Sequence, residues 1–269
     1  MSARPLPEAT FARTVLGSGS GSGSGPGLAL AHGAGSSVDQ TYGPILEGLA
    51  AGHKVVGVDY PGSGGTPRST TPLSLDDLAD QLVAAAVAEG LETFAVSGYS
   101  LGGPVAIRAA ARHPERVTAL VLTATFARPD NRLALSAPIW GKLAETDQEL
   151  LAQFLVMMAT GADALGAMAP EQLRQAVAYT AAGIAEGSPE HAELVDRIDV
   201  RDDLAHIQVP TLVVSTTQDW FASPRLHHQL AENIPGARLV EIATGHLPMV
   251  ERPGEWQKLI TDFLAQHAA

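Results

Sequence analysis

Phe94-Ala95-Val96-Ser97-Gly98-Tyr99-Ser100-Leu101-Gly102-Gly103 decides how the rest of this chain is read. A short apolar run leads through Gly-x-Ser-x-Gly into an alanine-rich segment, the pattern of a buried strand, a tight turn and a helix. Gly98 and Gly102 leave room for that turn. Ser100 then sits at its tip in a strained backbone conformation, and the Leu101 amide at the helix start points an unsatisfied N–H the same way. A serine hydroxyl is a weak nucleophile until something presents it, deprotonates it and stabilises the oxyanion its attack creates. As a bare pattern the motif is common, so its context carries the argument.

Outward from the elbow, strands and helices alternate. Toward the N-terminus, Leu28–Ala31 reads as a buried strand ending in His32-Gly33-Ala34-Gly35-Ser36-Ser37, followed by a helix over Gln40–Ala50 and a strand over Lys54–Asp59. Tyr60-Pro61-Gly62-Ser63-Gly64-Gly65-Thr66-Pro67 is dense in turn residues and lacks a P-loop lysine, so it reads as a turn and not a phosphate cradle. Ser74 caps a helix with Asp76 and Asp77 in its first turn. Toward the C-terminus the elbow helix stops at Arg112-His113-Pro114, and Val117–Thr123 forms the next strand.

From Phe126 to Val200 the signals are helical only. Thr146-Asp147-Gln148-Glu149 reads as a capping box opening a helix through Met158, Pro170 as a first helical position, and Ser188-Pro189 as the start of a third short helix. Alternation resumes with strand Thr211–Thr216, helix Pro224–Asn233, strand Arg238–Ile242 and helix Gly254–His267. The expectation is an α/β, mainly parallel, doubly wound sheet, with residues 1–125 and 201–269 forming the core and 126–200 an inserted helical cap over the C-terminal strand edge, where such sheets bind ligands. Phe11–Leu16 has strand character, but Gly17–Gly27 is almost pure Gly-Ser and reads as a flexible connection. One N-terminal strand is therefore expected to be short or absent.

Composition bounds the chemistry. A chain of 269 residues, 45% hydrophobic, can bury a large core. A net charge of −12 argues against nucleic acid or an anionic membrane as partner. With no cysteine, disulfides, thiolate metal sites and a cysteine nucleophile are excluded, and no cluster has metal-ligand spacing. The first thirteen residues lack an apolar leader core, and no run approaches a membrane span. The expectation is a soluble cytoplasmic protein that needs no cofactor or metal and acts on a small molecule; the oligomeric state is unreadable.

Ser100 needs a base, and the base needs an orienting acid. Among nine histidines, His246 follows the Arg238–Ile242 strand through a short Ala-Thr-Gly turn, which places it at the C-terminal sheet edge. Asp219, just past the Thr211–Thr216 strand, is the candidate acid, with Asp130 after the preceding strand as its rival. His53, His191, His206, His227, His228 and His267 fall on helices or surface connections and are expected to be solvated, and His113 ends a helix.

With these residues the sequence resembles the α/β-hydrolase family from about Leu28 onward. The resemblance rests on His32-Gly33, Gly98-Tyr99-Ser100-Leu101-Gly102-Gly103, Gln218-Asp219-Trp220 and Gly245-His246-Leu247-Pro248-Met249-Val250-Glu251-Arg252-Pro253, in the order nucleophile, acid, base. It implies that Ser100 attacks a carbonyl, His246 carries the proton and Asp219 holds the imidazole. It further implies an oxyanion hole made of the Ala34 and Leu101 amides, with His32 shaping that loop. Candidate substrate-binding residues are His32, Gly33, Tyr99, Trp140, Met157, Trp220 and Leu247. The expected activity is hydrolysis of a small or medium apolar carboxylic ester or lactone. A cofactor-free haloperoxidase or perhydrolase, a carbon–carbon bond hydrolase and a non-catalytic binding protein on the same scaffold stay open.

Overall fold

A computed structural model describes residues 4–17 and 26–267. Most of the Gly-Ser tract, residues 18–25, lies outside that range. Among the described residues seven strands form one sheet: β1 (Arg13–Leu16), β2 (Gly27–Ala31), β3 (Lys54–Val58), β4 (Phe94–Tyr99), β5 (Val117–Thr123), β6 (Thr211–Thr216) and β7 (Arg238–Ile242), in the order β1-β3-β2-β4-β5-β6-β7. Six of them run parallel. β1 alone is antiparallel, pairing with β3 through Arg13–Val58 to Leu16–Val55. Among the described residues the N-terminal region adds one four-residue edge strand.

The inner strands β2 to β6 are largely apolar on both faces because both faces are covered. Ala29 and Ala31 of β2 and Leu120 and Leu122 of β5 enter one core with α2 (Leu75–Ala88) and α3 (Gly102–Arg112). Their neighbours Leu28, Leu30, Ala119 and Val121 turn the other way, into a second core with α1 (Val38–Ala50) and α12 (Pro253–His267). This is the period-2 alternation of a strand sorting side chains between two helical layers. α10 (Pro224–Asn233) joins the first layer through Leu226 and Leu230. Local signals act as expected: the Ser37 hydroxyl accepts from the Gln40 amide to start α1, and that of Ser74 accepts from the Asp77 amide to start α2.

Between β5 and β6 the described residues are helical: α4 (Asn131–Thr146), α5 (Gln148–Ala159), α6 (Ala162–Ala167), α7 (Pro170–Gly183), α8 (Ser188–Arg197) and α9 (Arg201–Leu204). Asp130 caps α4, a helix the sequence reading did not place. The expected capping box is corrected by one residue. Thr146 ends α4, and it is the Asp147 carboxylate that accepts from the Leu150 amide to start α5. The Val200 amide donates to the Ala127 carbonyl at 2.9 Å, closing the insertion at its base. A four-residue helix, α11 (Pro248–Glu251), follows β7. Among the described residues no helix is long and apolar enough to cross a membrane.

Candidate active site

Ser100 stands between β4 and α3 with φ of +52°, a conformation that non-glycine residues adopt at a cost of about 1–3 kcal/mol when the surroundings over-determine it. The surroundings here do so. Its amide donates to the Thr123 carbonyl, and its own carbonyl accepts from the Gly103 amide and from the Thr125 hydroxyl at 2.6 Å. The tightness of the turn is steric: a Cβ on Gly98 would lie 2.3 Å from the Gly102 carbonyl oxygen, and one on Gly102 would lie 2.0 Å from that of Ala31.

The structure brings Ser100, His246 and Asp219 together. The Ser100 hydroxyl lies 2.9 Å from His246 Nε2, and His246 Nδ1 lies 2.7 Å from Asp219 Oδ2. A carboxylate only accepts, so the Nδ1 proton points to Asp219 and leaves Nε2 free to accept from the serine. Asp219 is itself fixed by the Thr216 hydroxyl at 2.8 Å and by the amides of Phe221 and Ala222 at 2.8 and 2.9 Å. Asp130, the rival acid, is committed elsewhere: it caps α4 and accepts from the Ser223 hydroxyl at 3.1 Å.

The amides of Ala34 and Leu101 have no hydrogen-bond acceptor among the described residues. Ala34 lines the same cavity as Ser100 and His246. The peptide between Gly33 and Ala34 is oriented by His32, whose Nδ1–H donates to the Gly33 carbonyl at 2.8 Å while its Nε2 accepts from the Tyr60 amide at 3.0 Å. In a trans peptide the N–H points opposite to the C=O, so the Ala34 N–H faces away from His32. His32 is fully buried and its pKa is pushed down to about 3, chiefly by burial. It shapes the loop from beneath and does not line the cavity, which removes it from the substrate-contacting set.

Above Ser100 opens a cavity of about 650 Å³, walled by the sheet edge and the helical insertion. Of the candidate substrate-binding residues, Gly33, Tyr99, Trp140 and Leu247 line it. Tyr99 also braces the His246 loop, its hydroxyl donating to the His246 carbonyl at 2.8 Å. Met157 and Trp220 do not line it. Met157 is 52% exposed on the outer side of α5, whose inward face is taken by Leu151, Leu155 and Val156. The Trp220 indole is 50% exposed, with the Arg132 guanidinium over its ring at 5.6 Å. The neighbouring Phe221 faces inward instead, its ring centroid 5.4 Å from that of His246.

Two further expectations are corrected. His191 and His227 are buried, not solvated, and burial lowers the pKa of each to about 4. His113, at the end of α3, is also fully buried and bonds Asp80 at 2.8 Å. Sequence reading gave no role to Thr125, Phe221 or Glu251. The Glu251 carboxylate accepts from the amides of Gly161 and Gly245, joining the insertion to the His246 loop. Among the described residues no group of His, Asp and Glu is arranged to hold a metal.

The family model described as alpha/beta hydrolase fold matches residues 28–253. A pyrrolizixenacetamide deacetylase of Xenorhabdus hominickii is 32% identical over 235 residues, spanning 87% of this chain and 88% of that protein. A pimeloyl-[acyl-carrier protein] methyl ester esterase of Neisseria meningitidis serogroup C is 32% identical over 247 residues, spanning 87% of this chain and 91% of that protein. Among solved structures, the enol-lactonase of Burkholderia xenovorans superposes with a TM-score of 0.84 at 25% identity, covering 95% of this chain and 96% of that one.

Proposed function

This chain belongs to the alpha/beta hydrolase fold family, and we propose that within it the protein is a serine hydrolase that cleaves a small or medium apolar carboxylic ester or lactone through an acyl-enzyme. The observation that carries this reading is the continuous relay from the Ser100 hydroxyl through His246 to Asp219, at 2.9 and 2.7 Å, beneath an apolar cavity.

The chemistry follows from the parts. Ser100 Oγ attacks the substrate carbonyl as His246 Nε2 takes its proton, and Asp219 stabilises the imidazolium that forms. The carbonyl oxygen becomes an oxyanion and moves toward the amides of Ala34 and Leu101. His246 then returns the proton to the leaving oxygen, the carbon–oxygen bond breaks, and the acyl group remains on Ser100. Water activated by the same imidazole attacks the acyl-enzyme, releases the acid and restores the serine. For a lactone the leaving oxygen stays tethered to the acyl group, so one ring-opened product leaves.

The cavity supports the substrate class. Its walls carry Phe126, Leu133, Leu155, Val156, Phe221 and Met249, and its size suits a ligand with an apolar body. The exposed Tyr179 and Val250 stand at its mouth. Relatives named as a deacetylase, a methyl ester esterase and an enol-lactonase share acyl transfer to water as their common chemistry.

A p-nitrophenyl acyl ester series, a lactone panel and a fluorophosphonate label test this reading. Turnover with a covalent adduct on Ser100, both lost in Ser100→Ala, is the expected result. A folded protein that neither turns over nor labels would overturn it.

A further inference from the structure

His191 lies on α8 of the insertion, distant in sequence from every residue of the relay, yet it is buried against the oxyanion loop. Its Nδ1 accepts from the Gly35 amide at 3.0 Å, and its Nε2 lies 3.0 Å from the Pro61 carbonyl. A carbonyl only accepts, so Nε2 carries the proton, and Nδ1 offers the lone pair that the Gly35 amide uses.

The two peptides flanking Ala34 are thus each held by a histidine. The Gly33–Ala34 peptide is held at its carbonyl by His32 from the core. The Ala34–Gly35 peptide is held at its N–H by His191 from the insertion. Both rings rest on the same turn, His32 at the Tyr60 amide and His191 at the Pro61 carbonyl, with ring centroids 6.4 Å apart. Around this clamp the insertion meets the core backbone to backbone. The Ala185 amide donates to the Gly35 carbonyl at 3.3 Å and the Gly187 amide to the Gly62 carbonyl at 2.9 Å. Gly35 has φ of +64°, and a Cβ there would lie 2.7 Å from the Trp140 ring.

We propose that His191 is a positioning residue for the oxyanion hole: through its neutral ring the insertion fixes the Ala34–Gly35 peptide and so aims the Ala34 N–H at the reacting carbonyl oxygen. The inference rests on the serine-hydrolase reading and deepens it, because it makes the insertion part of the catalytic scaffold as well as the wall of the substrate cavity. Burial holds the ring in its neutral form at neutral pH, which preserves the acceptor that the Gly35 amide needs.

Three substitutions separate the two ring contacts. His191→Asn places an oxygen near the Nδ1 position and keeps the acceptor for Gly35. His191→Gln places its amide near Nε2 and keeps the donor to Pro61. His191→Leu keeps neither. The expected order of kcat on the best ester is wild type, then Asn within ~5-fold, then Gln and Leu lower by ~10²-fold, the scale of one misplaced oxyanion donor. KM is expected to change less than 3-fold, roughly, since the loss falls on the transition state. Affinity for a trifluoromethyl ketone, which forms the tetrahedral adduct, is expected to fall in step with kcat, while that for the product acid stays. Equal kcat in the Asn and Gln variants, or losses that follow melting temperature alone, would overturn the proposal. Amide hydrogen exchange at Gly35 reads the contact without turnover. Protection in wild type and in His191→Asn, lost in His191→Leu, is expected, and an unprotected Gly35 in wild type overturns the proposal by itself. A protected Gly35 in a protein without ester turnover brings down the hydrolase reading and the proposed role together, leaving only the contact.

Discussion

The main-chain amide of His246 donates a 2.7 Å hydrogen bond to the carbonyl of Ala159, the last residue of α5. The proposed base is thereby tied to the insertion, and the adjoining Gly245 makes the contact possible. A Cβ on Gly245 would lie 2.2 Å from the Gly161 nitrogen and 2.5 Å from the Ala159 oxygen. The backbone at Gly245 is open to alanine, so the obstacle is contact alone. Gly245→Ala is expected to lower kcat/KM at least ~10-fold while the protein remains folded, because displacement of about 1 Å in a reacting group has effects of that scale. Steady-state kinetics beside near-ultraviolet circular dichroism would check it, and unchanged turnover would show that the loop moves freely.

Glu251 is the side-chain counterpart of that contact. Its carboxylate accepts from Gly161 at 3.0 Å and from Gly245 at 3.1 Å. Glu251→Ala leaves two amides without their acceptor, which is expected to destabilise the protein by ~1–3 kcal/mol and to weaken turnover. Urea denaturation and ester kinetics on one preparation would show both effects. Loss of stability with full activity would mean that the base loop holds its place unaided.

The identity of the acid is open to a direct comparison. Asp219 accepts from His246, Thr216 and two amides, whereas Asp130 caps a helix. Asp219→Asn is expected to lower kcat by ~10⁴, as when the imidazole is held in the wrong tautomer. Asp130→Asn keeps a capping oxygen and is expected to stay within about 3-fold of wild type. The reverse order would move the acid to Asp130.

Three buried histidines are expected to weaken the fold as the pH falls. His32, His191 and His227 titrate near 3, 4 and 4, below the ordinary value of 6.5. The unfolded chain therefore binds protons between pH 6.5 and about 4 that the folded chain refuses. Folding stability is expected to be full above pH 6.5 and to fall as the pH is lowered through that window, by up to roughly 3 kcal/mol for each ring. Carboxylates held below their usual range, such as Asp80 beside Arg112, add their losses at still lower pH. Urea midpoints between pH 7.5 and 4.5 would check this, with a shallower slope expected in His191→Asn. A flat profile across that window would contradict it.

Met157 and Trp220 offer a negative control. Both are half exposed and outside the cavity, so Met157→Ala and Trp220→Ala are expected to change stability by no more than about 0.5 kcal/mol and kcat/KM by less than ~2-fold. Trp140→Ala removes a cavity wall and a 2.6 Å bond to the Ser188 hydroxyl. Its acyl-length optimum is expected to shift toward longer chains in a p-nitrophenyl ester series.

Local rules carried the reading wherever a feature lives within one strand–turn–helix unit. The elbow at Ser100 was legible because its glycines and the flanking apolar runs lie within ten residues. The helix starts at Ser37 and Ser74 follow from side chains that reach only three residues ahead. Trp220 and Met157 were misplaced for the complementary reason: sequence adjacency to an acid, or membership of an amphipathic helix, does not say which way a side chain turns. His191 was misjudged because burial depends on what packs against a helix, and the helix itself carries no record of it.

The sequence by itself determined the alternating α/β architecture, the helical insertion, the Gly-x-Ser-x-Gly elbow and the order of Ser100, Asp219 and His246 along the chain. These are encoded by periodicity, turn chemistry and local motifs, all short-range. Tertiary structure alone decided how the insertion seats. It places Ala159 against His246 and His191 against Gly35, both across long stretches of chain. Those contacts follow from backbone surfaces meeting at three dimensions' worth of constraint, where a glycine's missing Cβ or a buried ring's free lone pair counts only once its partner has arrived.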